Sequence, residues 1–247
     1  MNLEYKVFVE KEAECLKKVD DKFRDYALSL GAEEVFIPAM IPKKLLDRMG
    51  YFSHFPQHLT CVSSLTSNEQ NMFLTPAACL HIYPTLENKL IDSKIITTRA
   101  RVYRYENNCF DGKTRFWDFT VREIVFVGSE GFVKKNLEKT KEYALKYTKE
   151  LNIDASLKTS TDSFIDDRRH ILLKKFQKSN NLKEELVTIN NGNETALSSF
   201  NFHDTRFSKQ FNFDQNHSIV TGCVGFGLER WVSSIIEKIN TTEMNDL

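Results

Sequence analysis

The sequence has no net charge and no long apolar run, and both absences narrow the classes of protein that it can encode. Its 34 basic and 34 acidic side chains cancel, so nothing global attracts it to nucleic acid or to an anionic membrane. No stretch approaches the about 18 apolar residues of a membrane span. The opening residues, MNLEYKVFVEKEAE, are polar and acidic, unlike a signal peptide. We therefore expect a cytoplasmic protein without membrane contact.

Cysteines are few, and their spacing shows no pairing. The five are odd in number and include no CxxC pair: Cys15, Cys61, Cys79, Cys109 and Cys223. In a reducing compartment each should be a thiol rather than half of a disulfide. Each is then a packing residue, a nucleophile or a metal ligand. Core packing is the favoured reading for Cys15, Cys61 and Cys109.

Repeats and low-complexity linkers are also absent, so we expect one domain over residues 1–247, with a short basic helical insertion near 166–178. Apolar spacing predicts a helix over 9–30, which Gly31 ends in a left-handed cap. Alternation predicts an antiparallel hairpin from 95–105 and 116–127. The other predicted elements are an edge strand over EEVFIPAMIP, a helix over 132–151, a strand over 156–165, a helix over 166–177, two or three strands within 186–213, and a final helix from near Gly227. The predicted fold class is α+β, a mainly antiparallel sheet flanked by helices.

The stretch VYRYE ends the first strand of this hairpin. Alternate side chains of a strand share a face, so Arg104 and Glu106 should project together. One could neutralise a phosphate while the other binds an amino group, and an ordinary cross-strand salt bridge is the alternative. Lys113 and Arg115, in the loop that follows, are cations that could close over a polyphosphate or could be ordinary loop charges.

A second stretch, TGCVGFGLERW, places two glycines before a helix that carries an arginine. Gly225 and Gly227 allow the backbone to approach a ligand, and Arg230 can present its planar fork to phosphate oxygens. Taken alone, the pattern is more typical of helix-to-strand packing.

Taken together, these stretches resemble a known family. GAEEVFIPAMIP, then VYRYE-loop-FTVREIVFVG, then GCVGFGLERW resemble in order the three signature motifs of class II aminoacyl-tRNA synthetase catalytic domains. LTPAACLHIYPTL, VREIVFVG, SSFNFH and CVGFGLERW are more narrowly similar to the amino acid:[carrier protein] ligases, which are related to the catalytic domain of methanogen-type seryl-tRNA synthetases. The resemblance implies an antiparallel sheet flanked by helices.

The resemblance also implies a set of site residues. Zinc would be held by Cys79, Glu123 and Cys223, with a fourth position open to the amine of an amino acid, and these ligands suit zinc chemically. ATP would be bound through its α-phosphate by Arg104, its adenine by Glu106 and its γ-phosphate by Arg230, with Mg²⁺ on the pyrophosphate. Further candidates are Glu194 and Asn201, for magnesium, ribose or substrate contacts, and Lys113, Arg115, Gly225 and Gly227 for ATP.

Two positions depart from the family pattern. Thr120 stands where these motifs commonly carry an arginine, and Ile124 stands where many class II enzymes place an aromatic ring on adenine. We expect these departures to alter nucleotide affinity or specificity.

The expected activity is activation of a small amino acid as its adenylate and transfer to the phosphopantetheine thiol of a carrier protein. Such carriers are typically acidic, so Arg168, Arg169, Lys174 and Lys175 are candidates for docking, with a solvated helix face as the alternative. The first motif implies a homodimer across 35–41. No anticodon domain or N-terminal coiled coil is evident, so tRNA is not an expected partner. The rival functions are a tRNA-directed synthetase-like enzyme and a non-catalytic amino acid sensor.

Overall fold

A computed structural model describes residues 6–66, 71–105, 111–164, 168–190, 192–213 and 218–245. Glu106 and Cys109 lie outside these ranges, as do the side chains of Arg168 and Arg169. The helices are α1 (Glu10–Ser29), α2 (Lys43–Arg48), α3 (Tyr51–His54), α4 (Glu130–Glu150), α5 (Arg168–Ser179), α6 (Arg206–Gln210) and α7 (Leu228–Asn245). The strands are β1 (Glu33–Glu34), β2 (Met40–Pro42), β3 (Cys61–Val62), β4 (Met72–Leu74), β5 (Lys94–Tyr103), β6 (Asp118–Ser129), β7 (Ala155–Thr159), β8 (Lys183–Asn190), β9 (Asn193–Asp204) and β10 (Ile219–Gly227).

Seven strands form the main sheet, in the order β1-β5-β6-β10-β9-β8-β7. Among the described strands of this sheet, only β1 pairs in parallel, with β5, and the remaining pairings are antiparallel. A separate three-stranded sheet has the order β2-β4-β3. The predicted α+β class is confirmed. No helix in these described ranges combines the length and apolarity of a membrane span.

Apolar residues on both faces of the main sheet build two cores. Along β6, Ile124 and Phe126 face a core shared with α1, α4 and α7. Val125 and Val127, which alternate with them along the strand, face a second core that includes the small sheet and α6. Because successive side chains of a strand point to opposite faces, the buried run of β6 needs cover on both sides. The small sheet and α6 cover only part of this second face of the main sheet, and the uncovered part forms a cleft.

The first helix follows the predicted pattern. Val19, Phe23 and Ala27 are buried along one side of α1, and the ring of Phe23 stacks on Phe226 of β10 with centroids 3.8 Å apart. Gly31 has a φ of +85°, the left-handed conformation expected at a helix end.

The prediction of one continuous strand over EEVFIPAMIP is wrong. Residues 33–34 pair with β5 at the edge of the main sheet, whereas residues 40–42 pair with β4 in the small sheet. Pro38 lies between these two pieces and has no N–H for a strand ladder. The chain therefore crosses from one sheet to the other at this point.

A buried ion-pair network fastens α1 and β1 to β6. The guanidinium of Arg122, only 2% exposed, donates to both carboxylate oxygens of Asp20 at 2.8 and 2.9 Å and to Glu34 at 2.8 Å. Glu34 also accepts from Arg24 at 2.8 Å. Arg122 lies on the helix side of β6, so this network supports the sheet from behind the cleft.

Candidate active site

The open face of the main sheet carries a cleft of about 250 Å³. Its floor is formed by alternate residues of three neighbouring strands. These are Phe119, Val121 and Glu123 of β6; Cys223, Gly225 and Gly227 of β10; and Ser199, Asn201 and His203 of β9. Strand alternation therefore collects polar groups from distant parts of the chain on one surface.

One end of the cleft holds two thiols and a carboxylate. Ligand atoms of Cys79, Glu123 and Cys223 all lie within 4.8 Å of one another, and all three residues are buried. Cys79 comes from the 3₁₀ turn Ala78–His81 that packs over the sheet. We refer to these three residues as the Cys-Glu-Cys cluster.

Burial shifts the pKa values of two members of this cluster, Glu123 and Cys223, towards their protonated forms. Burial raises the pKa of Glu123 to about 7, against the opposing effects of the Cys223 thiol and the Arg104 charge. A hydrogen bond with Cys79, together with burial, raises the pKa of the Cys223 thiol well above its usual range. A bound cation would favour the anionic forms of both groups. Two thiolates and one carboxylate fit zinc with a fourth position left open.

Two arginines also line the cleft. The Nε of Arg104 donates to the Pro76 carbonyl at 2.9 Å, and its guanidinium lies 5.6 Å from the ring centroid of Phe119. Arg230, in the first turn of α7, donates from Nε to the Thr114 carbonyl at 3.0 Å and from Nη1 to the Ala196 carbonyl at 3.0 Å. Both arginines are therefore held by backbone oxygens and line the cleft.

The structure brings most of the predicted site residues to this cleft. Those that line it are Cys79, Arg104, Arg115, Glu123, Asn201, Cys223, Gly225, Gly227 and Arg230. Lys113 is exposed and is not among the lining residues, and Glu106 falls outside the described ranges. Lys174 and Lys175 lie on α5, which does not line the cleft.

Glu194 is placed away from the cleft. Its carboxylate, 51% exposed, forms an ion pair with Lys158 of β7, two strands away across β8. The strand position of Glu194, opposite Ile189, puts it near the turn between those strands. Nothing in this placement supports its predicted contact with ATP or magnesium.

The expectation that Ile124 occupies the adenine-stacking position is wrong. Ile124 is fully buried in the core beneath the helices, on the opposite face of β6 from the cleft. Phe119, which does line the cleft, supplies an aromatic ring there. Thr120 also faces away, and its backbone N–H donates at 2.8 Å to both carboxylate oxygens of the buried Glu229.

Several cleft residues were not predicted. His203 lies beside Cys223, and burial, with the charge of Arg206, lowers the pKa of His203 to about 3. Asp162 pairs with Lys183 at 3.0 Å on the adjoining wall. The alternation of Ser199, Asn201 and His203 within SSFNFH was the available signal for His203, since all three positions share a face. Asp162 precedes α5 and carries no comparable pattern.

No protein-family model matches the chain, but several curated relatives do. A type-2 serine–tRNA ligase of Methanococcus aeolicus is 24% identical over 264 residues, covering 89% of this chain and 47% of the relative. The amino acid–[acyl-carrier-protein] ligase 1 of Bradyrhizobium diazoefficiens is 25% identical over 231 residues, covering 81% of this chain and 69% of the relative. The chain thus spans about half the length of the serine–tRNA ligase that it matches.

Among solved structures, M. kandleri SerRS in its complex with A. aeolicus tRNASec superposes with a TM-score of 0.72 at 18% identity. The match covers 91% of this chain and 52% of that one. The fold is therefore that of class II aminoacyl-tRNA synthetase catalytic domains. The sequence relatives are ligases of the same broad group.

Proposed function

We propose that this chain activates a small amino acid with ATP and transfers it to the phosphopantetheine thiol of a carrier protein. The observation that carries this proposal is one cleft lined both by the Cys-Glu-Cys cluster and by Arg104 and Arg230. The cluster suits an amine on a metal, and the arginines suit a polyphosphate. The relatives with similar sequences are amino acid ligases, which agrees with this division.

The cluster is the proposed zinc site. Cys79, Glu123 and Cys223 would hold the ion, and bound zinc would supply an open coordination position for the neutral amine of the substrate. The burial of these residues would exclude competing water. Amino acids would be selected over carboxylic acids without an amine.

The first reaction would join the amino acid to AMP. A carboxylate oxygen attacks the α-phosphorus of ATP, the bond to the bridging oxygen breaks, and pyrophosphate leaves. Arg104 would neutralise charge on the α-phosphate, and Arg230 and Arg115 would bind the leaving polyphosphate with Mg²⁺. No protein nucleophile is required, because positioning and electrostatic stabilisation provide the catalysis.

The second reaction would form a thioester. The phosphopantetheine sulfur loses its proton and attacks the activated carbonyl carbon. The bond between that carbon and the phosphate oxygen of AMP breaks, and AMP leaves with the bonding electrons.

We place the carrier on α5, where Leu172 and Phe176 are 68% and 60% exposed one helical turn apart. Lys174 and Lys175 lie between them in sequence, so an apolar ridge runs beside positive charge. An acidic carrier helix would complement both features.

Amino acid-dependent exchange of labelled pyrophosphate into ATP tests the first reaction. Wild-type protein should support exchange with one small amino acid, whereas Cys223→Ala should lose its metal and its exchange. Arg230→Ala should keep the metal and lose about 100-fold or more of the rate. Cys15→Ala, which changes a packing cysteine near α4, is the matched control and should retain both. Stoichiometric zinc without exchange for any amino acid would contradict the proposal.

A carrier-charging assay tests the second reaction. Lys174→Glu combined with Lys175→Glu should lower transfer to the carrier while leaving pyrophosphate exchange intact. Lys135→Glu on α4 is the matched charge reversal and should change neither. Equal transfer by the wild type, the α5 double variant and Lys135→Glu would show that the carrier does not dock on α5.

Transfer to tRNA is the second candidate function, because the relatives include type-2 serine–tRNA ligases. Serine would then be the amino acid. Replacing the carrier by tRNA in the same charging assay distinguishes the two acceptors, since each forms a separable labelled product.

We also propose a homodimer. Phe36 is 89% exposed and Met40 is 43% exposed, both in or beside the segment 35–41 that the first motif implicates. Burying such side chains favours association. Sedimentation should find a dimer that Phe36→Asp weakens, and a monomer at all concentrations would contradict this.

A further inference from the structure

Two nitrogen atoms of β9 lie against the sulfur of Cys223. The Nδ2 of Asn201 is 3.6 Å from the Cys223 Sγ, and the Nε2 of His203 is 3.7 Å from the same atom. These separations are within the range of hydrogen bonds to sulfur. Asn201 pairs directly with Cys223 across the two strands, and His203 follows on the same face.

The surroundings of Asn201 orient its amide towards the sulfur. The Ser199 hydroxyl donates to the Asn201 Oδ1 at 3.3 Å. With its oxygen engaged in this way, the amide presents its NH₂ group to Cys223. A reversed amide would point its oxygen at the Cys223 sulfur, and as a thiolate that sulfur is also an acceptor.

The surroundings of His203 favour one tautomer. Its Nδ1 lies 3.3 Å from the Tyr83 hydroxyl and 3.3 Å from the Thr221 hydroxyl, either of which can donate. If Nδ1 accepts, the single proton of the neutral imidazole lies on Nε2, which faces the sulfur. Once Cys223 is a thiolate it has no proton to donate, so only this tautomer forms a hydrogen bond with it.

We propose that Asn201 and His203 are positioning residues of the metal site, which donate two N–H bonds to the Cys223 thiolate. The inference rests on the proposed function, because it requires a metal in the Cys-Glu-Cys cluster. It assigns Asn201 to the metal ligand rather than to magnesium, ribose or substrate. Donors on a ligating sulfur stabilise its charge and fix its direction, and partners of this kind typically change metal affinity by about 10- to 100-fold.

Metal binding tests the proposal without any measurement of catalysis. His203→Phe removes the N–H and keeps a ring, and Asn201→Leu removes the other donor at similar size. Each substitution should lower the affinity for zinc about 10- to 100-fold, measured by competition with a chromogenic chelator. His203→Gln, whose amide nitrogen can reach the position of Nε2, should recover part of the affinity.

Cobalt(II) gives a spectroscopic readout at the sulfur itself. Removing an N–H donor raises the energy of the sulfur lone pairs, so the thiolate-to-cobalt charge-transfer band should move to longer wavelength in His203→Phe and Asn201→Leu. His58→Phe makes the same change at a buried cleft histidine that contacts Ser163, and it should leave the zinc affinity and the band unchanged.

Wild-type zinc affinity and an unshifted cobalt band in both donor variants would overturn the proposal. Circular dichroism of each variant separates a lost donor from a lost fold, and Asn201→Leu decides alone if His203→Phe does not fold. Failure of wild-type protein to bind zinc or cobalt stoichiometrically would overturn the metal site and this inference together. Normal metal binding without amino acid activation would overturn only the proposed reaction.

Discussion

Replacing Gly225 with alanine should weaken metal binding while leaving the fold intact. Gly225 lies directly opposite Glu123 on β6, and a Cβ at this position would be 3.0 Å from the Glu123 Oε2. A carbon and an oxygen cannot pack comfortably at this distance, so the carboxylate must move by a few tenths of an ångström. Ligand positions at a metal tolerate about 0.2 Å. The added methyl should therefore reduce zinc affinity about 10- to 100-fold, as for other changes that displace a ligand.

Two other glycines of β10 serve as matched controls. A Cβ on Gly227 would meet its nearest neighbour at 3.7 Å, an ordinary contact, so Gly227→Ala should keep wild-type zinc affinity. A Cβ on Gly222, on the opposite face, would lie 2.9 Å from Val133 and 3.0 Å from the backbone oxygen of Asn201. Gly222→Ala should therefore lower the free energy of unfolding by about 1–3 kcal/mol through overpacking.

The assays are chelator competition for zinc and urea denaturation for stability. Gly225→Ala should change the free energy of unfolding by less than about 1 kcal/mol, because the strained neighbour is the end of a flexible side chain. Unchanged zinc affinity in Gly225→Ala would refute the reasoning. Equal losses of zinc affinity in Gly225→Ala and Gly227→Ala would refute it as well, because the second variant has no contact with Glu123.

Three further predictions concern charged side chains. Arg122→Ala should lower the free energy of unfolding by about 3–5 kcal/mol in urea, since Asp20 would stay buried without its main partner; a loss below about 1 kcal/mol would contradict this. Asp111→Ala should raise the KM for ATP with little loss of melting temperature, because its carboxylate accepts three backbone N–H bonds that position Arg115; an unchanged KM would contradict it. Burial alone would raise the pKa of Asp162, but the Lys183 ammonium group and a hydrogen bond from the Gln177 side-chain amide outweigh burial. Together they lower the pKa of Asp162 from 3.8 to about 2. Its stabilisation is present above pH about 4 and is lost as the pH falls towards 2, so Asp162→Asn should flatten the acid limb of stability measured by denaturation; an unchanged limb would contradict this.

Local patterns were sufficient to predict much of the fold. The apolar spacing of α1 and the alternation of β5 and β6 depend on which faces are buried, and burial dominates the energetics of both elements. The segment 33–42 could not be predicted in the same way. Val35, Phe36 and Ile37 have strand propensity, but the crossing at Pro38 depends on a second sheet whose position no local pattern reveals.

Some cleft residues could likewise be predicted from local patterns, and others could not. Strand alternation already contained the correction for Ile124: if Glu123 faces the cleft, its neighbour in β6 must face the core. The position of Glu194 was harder to predict, because it depends on where the hairpin ends and on an ion pair with Lys158. The meeting of Cys79 with Cys223 is also invisible to spacing, since the two lie on separate elements brought together by the second layer.

The geometry of β10 explains why a cysteine precedes a glycine-rich turn and an arginine. Gly227 is four positions after Cys223, which places the proposed metal site and the start of α7 about 13 Å apart at about 3.3 Å per residue. One amino acid spans only about 3.8 Å of extended backbone. A single small amino acid therefore cannot reach from one proposed site to the other, whereas an amino acid and a nucleotide together could. Gly225, between the two ends, leaves space for Glu123 beneath such a ligand. Strand β10 thus sets the distance between the proposed amine site and the proposed phosphate site, which the proposed joining of an amino acid to a nucleotide would use.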